Sequence, residues 1–228
     1  MVDVAANLGR VLEQIAAAAR AAGRPPQSVQ LVAVSKTKPA EMVRAAIEAG
    51  ARIIGENYVQ EAKGKIPIAG KGAAWHLIGH LQRNKAAEAV ELFDMIETLD
   101  STRLAKTLDR LGRERGLPIR TLIEVNTGGE ATKSGVAPKD LTELIESLRS
   151  LEWVQVEGLM TVPPLQPDPE GVRPFFRTLR QIRDRLAPHA PPNVRLEELS
   201  MGMSADFPVA ISEGATMVRV GRAIFGER

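Results

Sequence analysis

Residues 31–39 read LVAVSKTKP, and this segment decides the fold. Residues 31–34 form a short unbroken apolar run, which is typical of a parallel strand buried on both faces. Ser35 and Lys36 follow the run directly, and Pro39 then opens a helical pattern, as proline does at a first helical position. The segment therefore predicts a strand, a turn and a helix, with Lys36 at the carboxyl end of the strand.

The same alternation of an apolar run with an amphipathic segment continues to the end of the chain. Eight strands are predicted, at residues 31–35, 52–55, 75–78, 95–98, 119–125, 154–160, 196–201 and 217–220. The helix after the second strand is predicted from about Tyr58 to Lys65, and the helix after the fifth strand from Pro138. Strands that alternate with helices imply right-handed parallel crossovers. Eight such units in 228 residues predict a single closed (β/α)8 barrel of the TIM type, preceded by an extra N-terminal helix. An open, doubly wound sheet is the alternative. Because no linker or change in composition interrupts the pattern, residues 1–228 are expected to form one domain.

Composition excludes several classes of function. The chain has no cysteine, which excludes disulfides, thiolate nucleophiles and cysteine-based zinc sites. Its net charge is only +2 and aromatic residues make up 4%, which argues against nucleic-acid binding. No apolar run approaches the length of a membrane span, and residues 1–24 lack the apolar core of a signal peptide. We therefore expect a soluble, cytoplasmic protein that binds neither membranes nor nucleic acids.

A barrel of this kind carries its active site at the carboxyl ends of its strands, which is where Lys36 lies. Burial there would lower the pKa of the lysine and free its amine for Schiff-base chemistry with an aldehyde. The alternative is that Lys36 only extends its charge to solvent from a strand end. This stretch alone does not decide between the two.

The last strand and the one before it suggest an anion site. Gly221 lets the backbone approach a ligand, and phosphate sites after the last strands recur in such barrels. Arg219 lies within a buried strand, so its charge needs either an anion or an internal carboxylate such as Glu198. The hydroxyls of Ser200 and Ser204 would complete the anion site, although Ser204 equally suits a helix cap.

Two further features of the sequence bear on ligand binding. His76 and His80 have the i, i+4 spacing of helical metal ligands, but they fall on a predicted strand without a third ligand, so no metal site is predicted. Residues 126–135 form a polar loop that contains Lys133. This loop would contact a ligand, act as a lid or do neither.

Seven distinctive segments are distributed over nearly the whole chain: VSKTK at 34–38, GENYVQE at 55–61, WHLIG at 75–79, LQRNK at 81–85, GLM at 158–160, LSMGMS at 199–204 and MVRVG at 217–221. Together they resemble the pyridoxal phosphate homeostasis protein family, which is related to the barrel domain of alanine racemase. The resemblance implies a barrel that holds pyridoxal 5′-phosphate (PLP) as an internal aldimine on Lys36. It places Arg219 near the ring nitrogen or the phosphate of the cofactor. An arginine at the ring nitrogen would weaken the ring as an electron sink.

The resemblance also implies the remaining cofactor-binding residues: Asn57 near the ring, and Ser200, Ser204, Gly221 and Arg222 around the phosphate. The chain departs from the family pattern at His80, where proline is frequent, and at Ala205, where an acid is frequent. These departures concern loop contacts and leave Lys36 unaffected.

The function implied is a carrier that maintains intracellular PLP and donates it to PLP-dependent apoenzymes, without catalytic residues and as a monomer. An amino-acid racemase is the first alternative. However, Tyr58 is the only tyrosine, and racemases of this kind take a catalytic tyrosine from a second domain. The second alternative is a Schiff-base aldolase that uses Lys36 against a sugar phosphate.

Overall fold

Eight parallel strands close into a barrel in the computed structural model, which describes residues 2–70, 72–130 and 134–227. The strands are β1 (Gln30–Val34), β2 (Ile53–Glu56), β3 (Ala74–Leu77), β4 (Met95–Leu99), β5 (Ile119–Glu124), β6 (Val154–Met160), β7 (Val194–Ser200) and β8 (Met217–Val220). Strands adjacent in sequence are adjacent in the barrel, and β8 closes it by pairing with β1. The predicted (β/α)8 barrel is confirmed, and the open sheet is excluded.

Helices follow the strands in the predicted order. They are α1 (Val4–Ala21), α2 (Ala40–Glu48), α3 (Val59–Ala69), α4 (Ala86–Leu92), α5 (Thr102–Arg115), α6 (Leu141–Ser147), α7 (Arg173–Leu186), α8 (Phe207–Ser212) and α9 (Arg222–Phe225). The extra N-terminal helix is α1, which Asp3 caps by accepting a 3.0 Å hydrogen bond from the Ala6 amide. Within the part of the chain that the structure describes, no helix is long and apolar enough to cross a membrane.

Two helix boundaries differ from the predicted ones. The helix after β5 begins at Leu141 rather than at Pro138, because residues 138–140 form a turn first. Helix α3 continues through Pro67 to Ala69, although the pattern predicted its end near Lys65. Lys133, in the loop before α6, lies outside the described residues.

The barrel interior is apolar toward the amino ends of the strands. One cluster of buried side chains lies inside the barrel: Val32, Ile53, Met95, Leu122, Met217 and, at the carboxyl end of its strand, Met160. A second and larger cluster packs between the strands and the helices, and it includes Ala33. Successive residues of a strand therefore face the interior and the helices in alternation.

Toward the carboxyl ends of the strands the interior becomes polar. His76, Glu97, Glu124 and Arg219 each lie two residues beyond an apolar residue that faces the inside of the barrel: Ala74, Met95, Leu122 and Met217. All four polar residues are buried. The barrel interior is thus mainly apolar toward one end and contains buried polar and charged side chains toward the other.

Candidate functional site

Lys36 lies at the rim of the polar end of the barrel. Ser35 extends the ladder beyond β1 through its amide, which donates to the Gly55 carbonyl at 3.0 Å. Its side chain faces the helices, where Ser35 Oγ donates to Glu56 Oε1 at 2.5 Å. By the alternation of the strand, Lys36 is on the side of the barrel interior, and it is half-buried. This is the position that the sequence predicted for it.

The turn that carries Lys36 has an unusual backbone. Thr37 is the only non-glycine residue of the described chain with a positive φ, at 64°. A side chain in this left-handed region costs free energy, so surrounding contacts must hold it there. The Thr37 amide donates to Glu61 Oε2 at 2.8 Å, which ties the turn to α3.

A buried lysine, Lys65, also stabilises the turn that carries Lys36. Lys65 Nζ donates to the Ser35 carbonyl at 2.8 Å, to Glu56 Oε1 at 2.7 Å and to Glu61 Oε2 at 2.8 Å. Burial raises the pKa of Glu56, and the hydrogen bonds from Lys65 and Ser35 offset only part of that effect. Sequence reasoning missed this ion cluster. Its only signal was the i, i+4 spacing of Glu61 and Lys65, which surface ion pairs share.

Arg219 is the centre of a hydrogen-bonded network inside the barrel. It is only 4% exposed, and it donates to Ser200 Oγ at 2.6 Å and to the Thr161 carbonyl at 2.7 Å. Ser200 Oγ donates in turn to Glu97 Oε2 at 2.6 Å, and His76 Nδ1 donates to Glu97 Oε1 at 2.8 Å. The network therefore crosses the barrel from β8 through β7 to β4 and β3.

Burial and neighbouring charges shift the pKa values of Glu97 and Arg219 in this network. Burial alone would raise the pKa of Glu97, but the hydrogen bond and charge of His76, together with the charge of Arg219, hold that pKa below its usual value. Burial lowers the pKa of Arg219, and Glu97 and Glu124 oppose this effect. The internal partner of the arginine is thus Glu97, reached through Ser200. Glu198 instead accepts a hydrogen bond from Thr216 Oγ1.

Glu124 is a buried carboxyl group that the sequence analysis did not single out. It is 8% exposed, and its Oε2 atom has no hydrogen-bond partner among the described residues. Burial raises its pKa to about 7, against the opposing charge of Arg219 and with a further contribution from Asp100. It lies on β5, four strands away from β1 in either direction around the barrel, and so faces Lys36 across the mouth. The only sequence signal was an acid at the end of an apolar strand.

The residues predicted around a phosphate occupy different environments. Gly221 lies against the end of β1, where a Cβ atom on it would stand 2.9 Å from the Val34 carbonyl oxygen. Ser204 is half-buried in the loop between β7 and α8. Arg222 is exposed, with its guanidinium 3.8 Å from Glu227. Ser200, by contrast, is fully buried and committed to Arg219 and Glu97.

Asn57 is half-buried just beyond β2, where the next loop packs tightly on it. A Cβ atom on Gly79 would approach the Asn57 carbonyl oxygen to 2.3 Å, so glycine is required for this contact. A cavity of about 380 Å³ opens beside Asn57, and the residues lining it also include Tyr58, Gln60, Gly79, His80 and Lys85. His80 lies at the surface 3.3 Å from Asp100 and apart from His76. Among the described residues no group of three His, Asp or Glu side chains is placed to hold a metal ion.

The polar end of the barrel thus joins a lysine, a buried arginine and a glycine on adjacent strands. Val32 of β1 pairs with Arg219 of β8, and Lys36 and Gly221 continue these two strands at the mouth. An amine and a guanidinium at one opening can hold an anionic carbonyl compound. Arg222 is set apart from this group by its exposure.

Comparison with known proteins gives a consistent assignment. Residues 6–228 match the family described as alanine racemase, N-terminal domain. The pyridoxal phosphate homeostasis protein of Aquifex aeolicus is 45% identical over 223 residues, which cover 97% of both chains. Its counterpart from Pseudomonas aeruginosa is 43% identical over 230 residues, which cover 100% of this chain and 97% of the relative.

A solved structure extends the similarity to three dimensions. PipY of Synechococcus elongatus, in a structure with PLP bound, is 40% identical and superposes with a TM-score of 0.86, covering 98% of this chain and 100% of PipY. Fold, order of motifs and full-length similarity agree. This chain belongs to the alanine racemase N-terminal domain family and, within it, to the pyridoxal phosphate homeostasis proteins.

Proposed function

We propose that this chain binds PLP at the carboxyl mouth of its barrel and holds it reversibly, so that it maintains the intracellular supply of this cofactor. One observation carries the proposal. Lys36 stands at the rim next to the strand of the buried Arg219, in a chain 45% identical to a pyridoxal phosphate homeostasis protein. PLP supplies an aldehyde that reacts with amines and a phosphate that cationic and backbone groups hold.

The chemistry of the mouth fits this cofactor. The amine of Lys36 suits the aldehyde, and the strained turn at Thr37 keeps that amine at the rim. Gly221 brings backbone close to the end of β1, beside the lysine. On the far side of the same opening, the buried Oε2 atom of Glu124 has no hydrogen-bond partner in the described part of the chain. A buried polar atom without a partner is costly unless a ligand or water meets it.

We assign the roles as follows. Lys36 forms the covalent bond to the aldehyde, and Asn57 lies near the ring. The phosphate is held by Ser204 and by the backbone at Gly221 and Arg222.

Ser200 belongs to the same site in a different way. Its hydroxyl already bonds Arg219 and Glu97, so its part in cofactor binding is to fix the arginine.

A carrier role is favoured over catalysis by the arginine. Arg219 is kept cationic by Glu97 and Glu124, and a cation at the ring nitrogen keeps that nitrogen unprotonated. The ring is then a weak electron sink, which suits storage better than carbanion chemistry. We further propose that residues 1–228 form a single PLP-binding domain, monomeric and cytoplasmic, whose recipients are PLP-dependent apoenzymes.

The test starts with the visible absorption spectrum of the purified protein after incubation with PLP. Reduction with borohydride and peptide mapping by mass spectrometry should place the label on Lys36. Lys36→Ala should lose both the visible band and the label. Lys38→Ala is the matched control, because Lys38 Nζ is bonded to the carbonyls of Gly226 and Glu227 and should leave both signals intact.

Two results would overturn the proposal. A protein that stays colourless with excess PLP, or that carries the label on a lysine other than Lys36, refutes the site. Incubation of the loaded protein with L-alanine and L-serine, followed by chiral analysis, addresses the racemase alternative. Turnover that depends on Lys36 would replace the carrier role by an enzymatic one.

A further inference from the structure

Glu124 is a buried acid of the polar layer that makes no direct bond to the cofactor in the proposed site. Leu122 belongs to the cluster inside the barrel and Ile123 to the cluster under the helices, so Glu124 faces the interior again. It is the last residue of β5 and lies within electrostatic reach of Arg219. β5 lies across the barrel from β1, the strand that Lys36 follows. An acid at this position borders any ligand that fills the opening.

The contacts of Glu124 leave it free to change its charge. Its Oε2 atom has no hydrogen-bond partner among the described residues, whereas both oxygens of the nearby Glu97 are bonded. The Gly135 backbone packs on its side chain, where a Cβ atom would lie 3.2 Å from Glu124 Cγ. Gly135 thus covers the Glu124 side chain, while the described part of the loop donates no hydrogen bond to Oε2.

Charged groups reach Glu124 from several elements. Arg219 on β8 favours the carboxylate, and Asp100 after β4 disfavours it. Glu97 on β4 and Asp206 before α8 act through Arg219, whose positive charge they share with Glu124. Arg219 thus interacts with three carboxyl groups, those of Glu97, Glu124 and Asp206. Burial has the largest effect on the pKa of Glu124.

We propose that Glu124 takes up a proton from solvent when an anionic ligand enters the mouth, so that capture of the phosphorylated cofactor is coupled to proton binding at this residue. The inference rests on the proposed PLP site and specifies its regulation. An incoming phosphate and phenolate oxygen add negative charge to the opening that the buried carboxyl borders. Added negative charge near a carboxyl group favours its neutral form.

The direction of the coupling follows from linkage. A ligand that binds the protonated form better must, by reciprocity, bind more weakly as pH rises and the proton is lost. Burial already raises the pKa of Glu124 to about 7 in the ligand-free protein, so the window starts near neutrality and extends above it. Within this window one linked proton changes the dissociation constant by about tenfold per pH unit.

The experiment uses pyridoxine 5′-phosphate, which has an alcohol in place of the aldehyde and cannot bond covalently to Lys36. Titration calorimetry at pH 7.5 in two buffers of different ionisation enthalpy gives the number of protons taken up. Wild type should take up more protons than Glu124→Gln, in which a neutral amide imitates the protonated acid. Between pH 7 and 8 the wild-type affinity should fall more steeply, so that the variant binds several-fold tighter at pH 8.

Glu157→Gln is the matched control, because Glu157 pairs with Arg120 on a different part of the barrel and should behave like wild type. Equal proton uptake by wild type and Glu124→Gln refutes the inference, and so does weaker binding by the variant at every pH. A wild-type protein that binds neither pyridoxine 5′-phosphate nor PLP refutes the proposed function itself. The two failures are therefore distinguishable.

A measurement on the wild-type protein alone makes the test independent of folding of the variant. The side-chain carboxyl carbon of Glu124 can be assigned through the backbone by ¹³C NMR and titrated with and without pyridoxine 5′-phosphate. The midpoint should move to higher pH when the ligand is bound. An unchanged or lowered midpoint contradicts the inference.

Discussion

The guanidinium of Arg219 donates a 2.6 Å hydrogen bond to the hydroxyl of Ser200, which joins β8 to β7 inside the barrel. The same hydroxyl donates a hydrogen bond to Glu97 Oε2, at 2.6 Å. A serine hydroxyl has one donor and two acceptor positions, so this residue spends its only donor on the carboxylate. Ser200 thereby holds a buried cation and a buried anion in one network.

Removing this hydroxyl should destabilise the protein more than it weakens cofactor binding. Ser200→Ala leaves Glu97 Oε2 and one arginine nitrogen without their partner in a fully buried setting. The expected loss is about 1–3 kcal/mol in the free energy of unfolding. Urea denaturation followed by circular dichroism measures it.

Ser204→Ala is the complementary variant, because Ser204 is half-buried and lies in the loop before α8. We expect its unfolding free energy to stay within about 0.5 kcal/mol of wild type and its affinity for PLP to fall. The opposite pattern, with Ser200→Ala stable and unable to bind PLP, would indicate that Ser200 binds the phosphate directly.

The buried lysine beneath the turn of Lys36 offers a second prediction. Lys65→Met removes the cation that binds Glu56 Oε1 and the Ser35 carbonyl, and leaves a buried carboxyl without its cationic partner. Loss of one member of a buried ion pair costs about 3–5 kcal/mol, which urea unfolding will report. The labelling of Lys36 by PLP and borohydride should slow as well, since the turn loses its support.

The control for this variant is Lys63→Met on the same helix. Lys63 is 59% exposed and pairs with Glu88 at the surface, so its loss should change stability by less than about 1 kcal/mol. The double variant Lys65→Met, Glu56→Gln should recover part of the loss, because it removes the unpaired charge. Equal effects of Lys65→Met and Lys63→Met would mean that the buried ion pair contributes no more to the free energy of unfolding than the surface pair.

The fold could be predicted closely because its signals are local. The segment at residues 31–39 and its seven successors each carry an apolar run and a following helical stripe, and parallel strands in such series close into a barrel. The boundary at Leu141 was missed because residues 138–140 turn before the helix starts. Helix α3 runs through Pro67 although proline usually ends a helix, since contacts in the folded barrel override local preference.

The site could be predicted only where the sequence carries a chemical signal. Lys36 and Arg219 stand out as charges at the ends of apolar strands, and the structure places both at the carboxyl end of the barrel. The contact of Lys65 with Glu56 depends on how α3 packs on the barrel, which no spacing encodes. The hydrogen bond from Arg219 to Ser200 likewise depends on the register of two strands, which the sequence pattern does not encode.

A third prediction concerns the outer face of α7. Glu213 accepts hydrogen bonds from Arg173 and Arg177 at 3.0 Å and from Arg180 at 3.1 Å. Burial alone would raise the pKa of Glu213, but the hydrogen bonds from Arg177 and Arg173 hold it below its usual value. The carboxylate therefore stabilises the protein above the unfolded-state pKa, and this contribution is lost as pH falls through the lower folded-state pKa.

Glu213→Gln should accordingly be less stable than wild type at pH 7, by about 1–2 kcal/mol because the arginines are partly exposed. The difference should shrink as unfolding is repeated at pH 5, 4 and 3. Glu170→Gln, on an exposed carboxylate that contacts Arg173 alone, serves as the control. A difference that persists at pH 3 would show that the charge of Glu213 is not its source.

The last prediction applies to Glu124 in the ligand-free protein. Burial raises its pKa from the ordinary 4.5 to about 7, so between these values the folded protein binds a proton that the unfolded chain releases. Below pH 4.5 Glu124 is protonated in both states and does not reduce the free energy of unfolding. As pH rises from 4.5 to 7, ionisation of the unfolded chain lowers the free energy of unfolding by up to about 3 kcal/mol. Glu124→Gln, which stays neutral, should match wild type near pH 4.5 and exceed its unfolding free energy at pH 7.5. Urea unfolding of both proteins across this range measures the difference. A variant less stable than wild type at pH 7.5 would mean that Glu124 is held as a paired carboxylate.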